Sequence, residues 1–146
     1  NSYYPLTVNQ TTLSMELSKN EIRGITEYYS GLVEVMVFGR QELMVTRDPA
    51  MGNGILEDEK GFQFPIYKDG DGISHMLNSS DLMLLEQLHD LQKMGVDSFG
   101  IDLRKRPVAL AKTVAEAYAK RDVSKKAKIS EMCGSVTYGH YMRGVS

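Results

Sequence analysis

Four charged residues stand at or near the carboxyl ends of predicted strands, namely Glu16, Arg40, Asp102 and Arg104. Parallel α/β barrels place their active sites at this end of their strands. A carboxylate there acts as a general base or holds a water, and an arginine binds a carboxylate or phosphate through two hydrogen bonds. We therefore expect these four to be catalytic residues. A structural ion pair would use the same residue types at the same place.

Two polar residues inside predicted strands are candidate substrate contacts. Glu34 interrupts the apolar run LVEVMVF, where a buried carboxylate requires a partner or a raised pKa. Arg40 is the natural partner if both side chains face inward, whereas strand alternation would otherwise turn Glu34 outward. His75 lies in a strand of a predicted hairpin.

Cys133 and His140 are candidate metal ligands, seven residues apart, and Gly139 beside His140 allows close backbone approach. Two ligands are too few for a closed zinc site, so a zinc ion would be shared between the subunits of a homodimer. An ordinary histidine packed among aromatic residues is the alternative. Because Cys133 is the only cysteine, an intrachain disulfide is excluded.

The sequence shows no motif for nucleophilic catalysis or phosphate binding. Its serines fall in no G-x-S-x-G elbow, and G-x-G-x-x-G and G-K-S/T loops are absent. Nucleophilic peptidase machinery is therefore not visible in the chain.

The predicted elements run strand, helix, strand, inserted hairpin, helix, strand, helix, an order that favours a parallel sheet with helical crossovers. TTLSMEL, LVEVMVF and SFGIDL are the main strands, and three strands cannot close a barrel alone. We expect an α/β fold, a partial (half) TIM-barrel-like parallel sheet with an inserted β-hairpin. Residues 1–122 would form it, and residues 123–146 would be a basic linker and a Gly/Tyr-rich tail.

Several local signals mark the element ends. Ser18 and Glu21 form a capping box, ELMVT should leave the main sheet, and residues 47–61 read as a loop. FQFPIY and ISHMLN flank KDGDG as a hairpin, with Pro65 at an edge or bulge. Ser79, Ser80 and Asp81 offer an N-cap for a helix that ends at Gly95. Pro107 should open a helix whose buried stripe comprises Val108, Leu110, Ala111, Val114, Ala115 and Tyr118.

Composition limits the functional classes. Apolar residues make up 42% of the 146 residues, which is enough for a core, and the net charge is −2. The segment from Arg104 to Lys128 has nine Lys or Arg against two acidic residues, so it is about +7 and the remainder about −9. Such a segment is either an RNA-binding face or a solvated helix surface. With no long apolar run and no signal peptide at the amino end, we expect a soluble cytoplasmic protein that binds no membrane.

The stretches LSMELSKNEI, LVEVMVFGRQELMVT, DEKGFQFPI, NSSDLMLL and YGHYMRGV, in this order, resemble the carboxy-terminal part of the peptidase U32 (collagenase-like protease) family over residues 12–146. The resemblance implies the later strands of a modified eight-stranded barrel and a protein that cleaves peptide bonds. Other members are linked to hydroxylation of RNA or of quinone precursors, some with iron–sulfur clusters. Many relatives carry cysteines after the EVMVFGR-type strand, and this chain has none there, so we expect no cluster at that place.

Three hypotheses follow for the function. The chain is the carboxy-terminal portion of a U32-type peptidase that acts on a peptide or protein; or it belongs to an RNA-modifying protein and holds phosphates with the Arg104 to Lys128 segment; or it is a non-catalytic interaction domain whose open sheet edges pair with another copy.

Overall fold

The computed structural model describes residues 8–144 of the chain. Its strands are β1 (Gln10–Leu13), β2 (Leu32–Gly39), β3 (Glu42–Thr46), β4 (Gly54–Glu57), β5 (Gln63–Lys68), β6 (Ser74–Leu77), β7 (Asp81–Met83), β8 (Ser98–Ile101) and β9 (Val136–Thr137). Its α-helices are α1 (Lys19–Tyr28), α2 (Leu88–Met94), α3 (Val108–Lys120) and α4 (Lys126–Cys133). The predicted α/β class is confirmed.

β2 is the centre of the main sheet. It pairs in parallel with β1 and β8, and its carboxyl end pairs antiparallel with β7, which pairs in parallel with β9. Phe38 of β2 is paired with both Met83 and Ile101, so β7 and β8 lie on opposite edges of β2. The sheet is therefore mixed, with a parallel centre.

The hydrophobic core lies between one face of β2 and the helices. Val33, Val35 and Val37 are buried there, and the Tyr118 hydroxyl of α3 donates to the Val37 carbonyl at 2.8 Å. Full burial of one such aliphatic side chain stabilises the fold by about 1.5–3 kcal/mol. The alternate residues Glu34 and Met36 lie on the other face, since strand side chains alternate.

The start of α1 and the end of α2 lie where the sequence predicts them. Ser18 and Glu21 form the predicted capping box, with Ser18 N–H donating to Glu21 Oε2 at 2.7 Å. Gly95 ends α2 at φ 104°, a conformation that favours glycine.

The start of the second helix was predicted wrongly. Asp81–Met83 forms β7 rather than an N-cap, a 3₁₀ turn follows at Leu85–Gln87, and α2 begins only at Leu88. A short apolar run of this kind fits a buried strand as well as a helix, because periodicity cannot separate the two over so few residues.

The residues between β2 and β7 form a second, antiparallel sheet in the order β3-β6-β5-β4. The departure of ELMVT from the main sheet and the β5–β6 hairpin are confirmed. The predicted loop contains β4, so that prediction was wrong in part. Pro65 lies on an inner strand rather than an edge, but β6 pairs with β5 only from Ile66 onward, so the missing N–H of Pro65 removes no bond to β6.

α3 begins after Pro107 as predicted, but its buried stripe is shifted. Leu110, Val114 and Tyr118 are buried with Ala117, whereas Val108 is 71% exposed. Val108 is the first residue of α3, and it lies outside the core.

The segment expected to be a linker and tail contains α4 and β9. Ile129 of α4 and Tyr141 are buried in the core, and the Tyr141 hydroxyl donates to Asp90 at 3.3 Å. Among the described residues, no helix has the length and apolar character needed to cross a bilayer.

Candidate functional site

A cleft of about 340 Å³ lies where the second sheet meets the carboxyl ends of β2 and β8. We call it the strand-end cleft. Cationic residues from the strand ends and apolar or aromatic residues from β5 and β6 form most of its wall. The lining residues are Arg40, Asn53, Pro65, Ile66, Tyr67, Lys68, Leu77, Asp102, Arg104, Lys105 and Arg106.

Gly39 brings the ends of β2 and β8 close together. It has φ 129°, and a Cβ at this position would lie 2.8 Å from Asp102 Cβ and 2.9 Å from its carbonyl oxygen. The Asp102 N–H also donates to the Phe38 carbonyl at 3.0 Å. Only glycine permits this approach, which places Arg40 beside Asp102 at the cleft.

Asp102 and Arg104 form a bidentate ion pair. Arg104 Nε donates to Asp102 Oδ1 at 3.0 Å, and Nη2 donates to Oδ2 at 2.7 Å. The guanidinium lowers the pKa of the Asp102 carboxyl, and the carboxylate raises the pKa of Arg104. Asp102 is therefore an ionised carboxylate with little tendency to take up a proton.

Asp81 is a fully buried carboxylate behind the cleft. Arg106 Nη2 donates to its Oδ2 at 2.7 Å, and Arg40 Nε lies 3.6 Å from the same oxygen. Burial raises the pKa of the Asp81 carboxyl, against the two guanidinium groups, which lower it. Asp81 Oδ1 and the Nε atoms of Arg40 and Arg106 are buried without a hydrogen-bond partner in the part of the chain that the structure describes.

The strand-end cleft has an excess of positive charge. Its lining holds five cations, Arg40, Lys68, Arg104, Lys105 and Arg106, and one carboxylate, Asp102. Asp81 behind it supplies a second carboxylate, which leaves three cations in excess. Within residues 8–144, no carboxylate oxygen lies within 4.0 Å of Lys68 Nζ or Lys105 Nζ. The cleft is thus suited to an anionic ligand.

The opposite wall is formed by Tyr67 and its neighbours on β5. Lys105 Nζ lies 5.4 Å from the centre of the Tyr67 ring, over its face. Pro65 and Ile66 precede Tyr67 along the same strand, and Leu77 follows from β6. Charge and apolar surface therefore meet in one cleft, as in most small-ligand sites.

His75 lies behind Tyr67, outside the cleft lining. The two rings stack with centroids 4.7 Å apart and an interplanar angle of 9°. His75 Nδ1 pairs with Glu42 Oε2 and Nε2 with Asp69 Oδ2, both at 2.8 Å. Both carboxylates raise the pKa of His75, and the hydrogen bond to Asp69 has the larger effect. Its predicted role as a substrate contact stays a prediction, and in this structure it supports Tyr67.

Glu16 and Glu34 lie apart from the cleft lining. Glu16 is exposed and accepts a long hydrogen bond of 3.5 Å from Gln41. Glu34 faces the side of the main sheet away from the core, where it accepts from the hydroxyls of Thr12 at 3.0 Å and Ser98 at 3.4 Å. Of the sequence candidates, the structure brings together Arg40, Asp102 and Arg104.

The two candidate metal ligands have different surroundings. Cys133 is half-buried and interacts with Asp81 and Arg106, and burial raises its pKa to about 11, so it is a neutral thiol near pH 7. His140 Nδ1 accepts a hydrogen bond from Arg143. Within residues 8–144, no group of three or more His, Cys, Asp or Glu side chains could hold a metal ion. A zinc ion shared between subunits stays a prediction.

Sequence reasoning missed Asp81 and Arg106 as site residues. Asp81 was interpreted as an N-cap, and Arg106 was counted only within the basic segment. The position of Arg106, four residues after Asp102 at the end of β8, was the one signal that could have indicated it.

A sequence model described as peptidase family U32 matches residues 1–131. The chain belongs to the U32 family. No curated protein and no solved structure gives a significant match to this U32 chain. The matched region contains every residue of the strand-end cleft, whereas Cys133 and His140 lie beyond it.

Proposed function

We propose that this U32 chain supplies the substrate-binding groups of a U32-type peptidase, and that its strand-end cleft binds a carboxylate of a peptide. The observation that supports this most is the excess of three cations, counted with the buried Asp81, beside the apolar and aromatic residues Pro65, Ile66, Tyr67 and Leu77. A peptide end offers the matching chemistry, a carboxylate beside a side chain.

The geometry favours binding over an attack on the peptide bond by this cleft alone. Its lining includes no Ser, Thr, Cys or His, and its one carboxylate, Asp102, is held ionised by Arg104. An ionised carboxylate with a lowered pKa is a weak general base. In this proposal, the cleft orients the substrate, and the group that activates water comes from another part of the protein.

The fold supports placing this cleft in a larger barrel. β1, β2 and β8 are parallel, helices pack against one face, and the cleft lies at the carboxyl ends of β2 and β8. In α/β barrels, this end holds the active site. The chain would then supply the later strands of the barrel, and the second sheet would close over the site.

Fluorescence anisotropy with a labelled peptide tests the binding. We expect a peptide with a free carboxyl end to bind at least about tenfold more tightly than its carboxy-amidated form, since a hydrogen bond to a charged group contributes about 1.5–3 kcal/mol. Lys105→Gln should weaken binding of the free acid, and Lys93→Gln, on α2, should not. Equal affinity for acid and amide would refute the proposal.

RNA binding is the second candidate function. Lys120, Lys125 and Lys128 share one surface with Glu116 and Asp122 at the far end of α3 from Arg104–Arg106. Twelve or more residues of helix separate the two groups by about 20 Å, at 1.5 Å per residue. Salt-sensitive binding of a short RNA that is lost when Lys125 and Lys128 become Gln, yet unaffected by Lys105→Gln, would favour this function over peptide binding.

A further inference from the structure

Asp81 contacts two arginines that come from different parts of the chain. Arg40 follows β2 and Arg106 precedes α3, and both line the strand-end cleft. Their side chains are only 18% and 13% exposed, so little more than the part that faces the cleft is accessible. Asp81 itself lies on β7 with no exposed surface.

A buried ion pair of this kind is weak evidence for stability. Taking the charges out of water costs several kcal/mol, and an apolar replacement is often as stable. The ion pairs do, however, fix the orientation of the two guanidinium groups. A guanidinium has five N–H donors in a rigid fork, and Asp81 Oδ2 takes one donor from Arg106 and attracts Arg40 Nε at 3.6 Å. Since the Nε atoms of both arginines are buried, the Nη groups that Asp81 does not use are the donors left for the cleft.

We propose that Asp81 is a positioning residue for ligand binding: it holds the guanidinium groups of Arg40 and Arg106 so that both present donors to one carboxylate in the strand-end cleft. The inference rests on the proposed function for the identity of the ligand. It names a role for a residue that does not itself line the cleft. Donors that are fixed before binding lose less conformational freedom when the ligand binds. Releasing them should therefore weaken the affinity for the ligand.

The backbone around Asp81 is itself held firmly. Its N–H donates to the Ser135 carbonyl at 3.1 Å, and β7 pairs with β2 on one edge and β9 on the other. The Asp81 side chain therefore extends from a firmly held backbone, which a positioning role requires.

Asp81→Asn separates positioning from simple electrostatics, because the two predict opposite results. Removing a negative charge behind the cleft increases its positive excess, so electrostatics alone predicts tighter binding of an anionic peptide. Positioning predicts binding weaker by about tenfold, the loss expected for one charge-assisted hydrogen bond. The probe is the peptide with a free carboxyl end, and urea denaturation monitors the fold. Asp71→Asn, which removes the same charge from an exposed turn, is the control and should leave affinity unchanged.

A second readout needs no ligand. NMR hydrogen exchange of the guanidinium N–H groups should be slow for Arg40 and Arg106 in the native chain and faster in Asp81→Asn, since Arg106 Nη2 donates to Asp81. If the native chain binds no peptide, the proposed function fails, and this exchange still tests the positioning. If Asp81→Asn does not fold, Arg106→Lys replaces it, since a lysine keeps the charge but cannot reach Asp81 and the ligand together.

Unchanged or tighter peptide binding by Asp81→Asn, or unchanged exchange at both arginines, would overturn the inference. Undiminished binding by Arg106→Lys would do the same.

Discussion

The Arg104 guanidinium holds both oxygens of the Asp102 carboxylate, with Nε–Oδ1 and Nη2–Oδ2 distances of 3.0 and 2.7 Å. Both residues line the strand-end cleft. The pair keeps the arginine in place and makes Asp102 a weak base, which is why the cleft is better suited to binding an anion than to removing a proton.

Replacing Arg104 should raise the pKa of Asp102. In Arg104→Gln, carboxyl-carbon NMR should show Asp102 titrating at higher pH than in the native chain. Because the pKa of Asp102 is lowered by folding, the pair stabilises the fold above the unfolded-state pKa of about 3.9, and this stability is lost as pH falls through the folded-state value. Since Arg104 is 65% exposed, we expect a loss of only about 0.5–1 kcal/mol at pH 7. An unshifted Asp102 titration would contradict the ion pair.

His75 should make stability depend on pH. Its pKa is raised by Asp69 and Glu42, so its contribution is fully present below the unfolded-state value of about 6.5 and is lost as pH rises through the folded-state pKa. The melting temperature should therefore fall over that range in the native chain. His75→Gln should remove this fall, while His89→Gln, on the exposed side of α2, should retain it. The same pH profile in the native chain and in His75→Gln would show that the pairing of His75 with Asp69 and Glu42 has no such effect.

Gly39→Ala should destabilise the fold. The residue has φ 129°, and an added Cβ would lie 2.8 Å from Asp102 Cβ. We expect a loss of about 1–3 kcal/mol in urea denaturation, the usual range for a strained backbone conformation. Gly52→Ala is the matched control, because nothing lies within 4 Å of its Cβ position. Equal stability of the two variants would mean that β2 and β8 do not end in this close contact.

Cys133 should react slowly with alkylating reagents. Burial raises its pKa to about 11, so the reactive thiolate is scarce at pH 7. Iodoacetamide labelling followed by mass spectrometry should be slow in the native chain and fast in urea, and the native rate should rise steeply between pH 8 and 10. Because Asp81 also raises this pKa, Asp81→Asn should label faster than Asp71→Asn. Rapid labelling at pH 7 would place Cys133 in a different environment.

Sequence patterns predicted the elements whose signals are local. The Ser18 capping box, the β5–β6 hairpin and the α3 start at Pro107 depend on neighbouring residues, and the structure has all three. β4 pairs with its neighbour β5, and it was missed because its short GILE run lies among Gly, Asp and Glu residues typical of a loop. β7 could not be predicted from local patterns, since it forms by pairing with β2, which is distant in sequence. Pairing partners are a property of the tertiary fold.

The residues of the candidate site were likewise predictable only where the signal was local. Arg40, Asp102 and Arg104 were found because each follows a predicted strand, and strand ends gather at one edge of a sheet. Asp81 and Arg106 are 25 residues apart in the chain and meet only after β7 inserts beside β2. Glu16 satisfies the same strand-end criterion but lies outside the cleft lining, where it accepts a long hydrogen bond from Gln41.

The most direct test of the central claim is amide NMR of the ¹⁵N-labelled chain titrated with a peptide that has a free carboxyl end. Saturable shifts are expected at Arg40, Tyr67 and residues 102–106, and they should be lost with the carboxy-amidated peptide. Shifts confined to residues 120–128, equal shifts with both peptides, or none at all would contradict it.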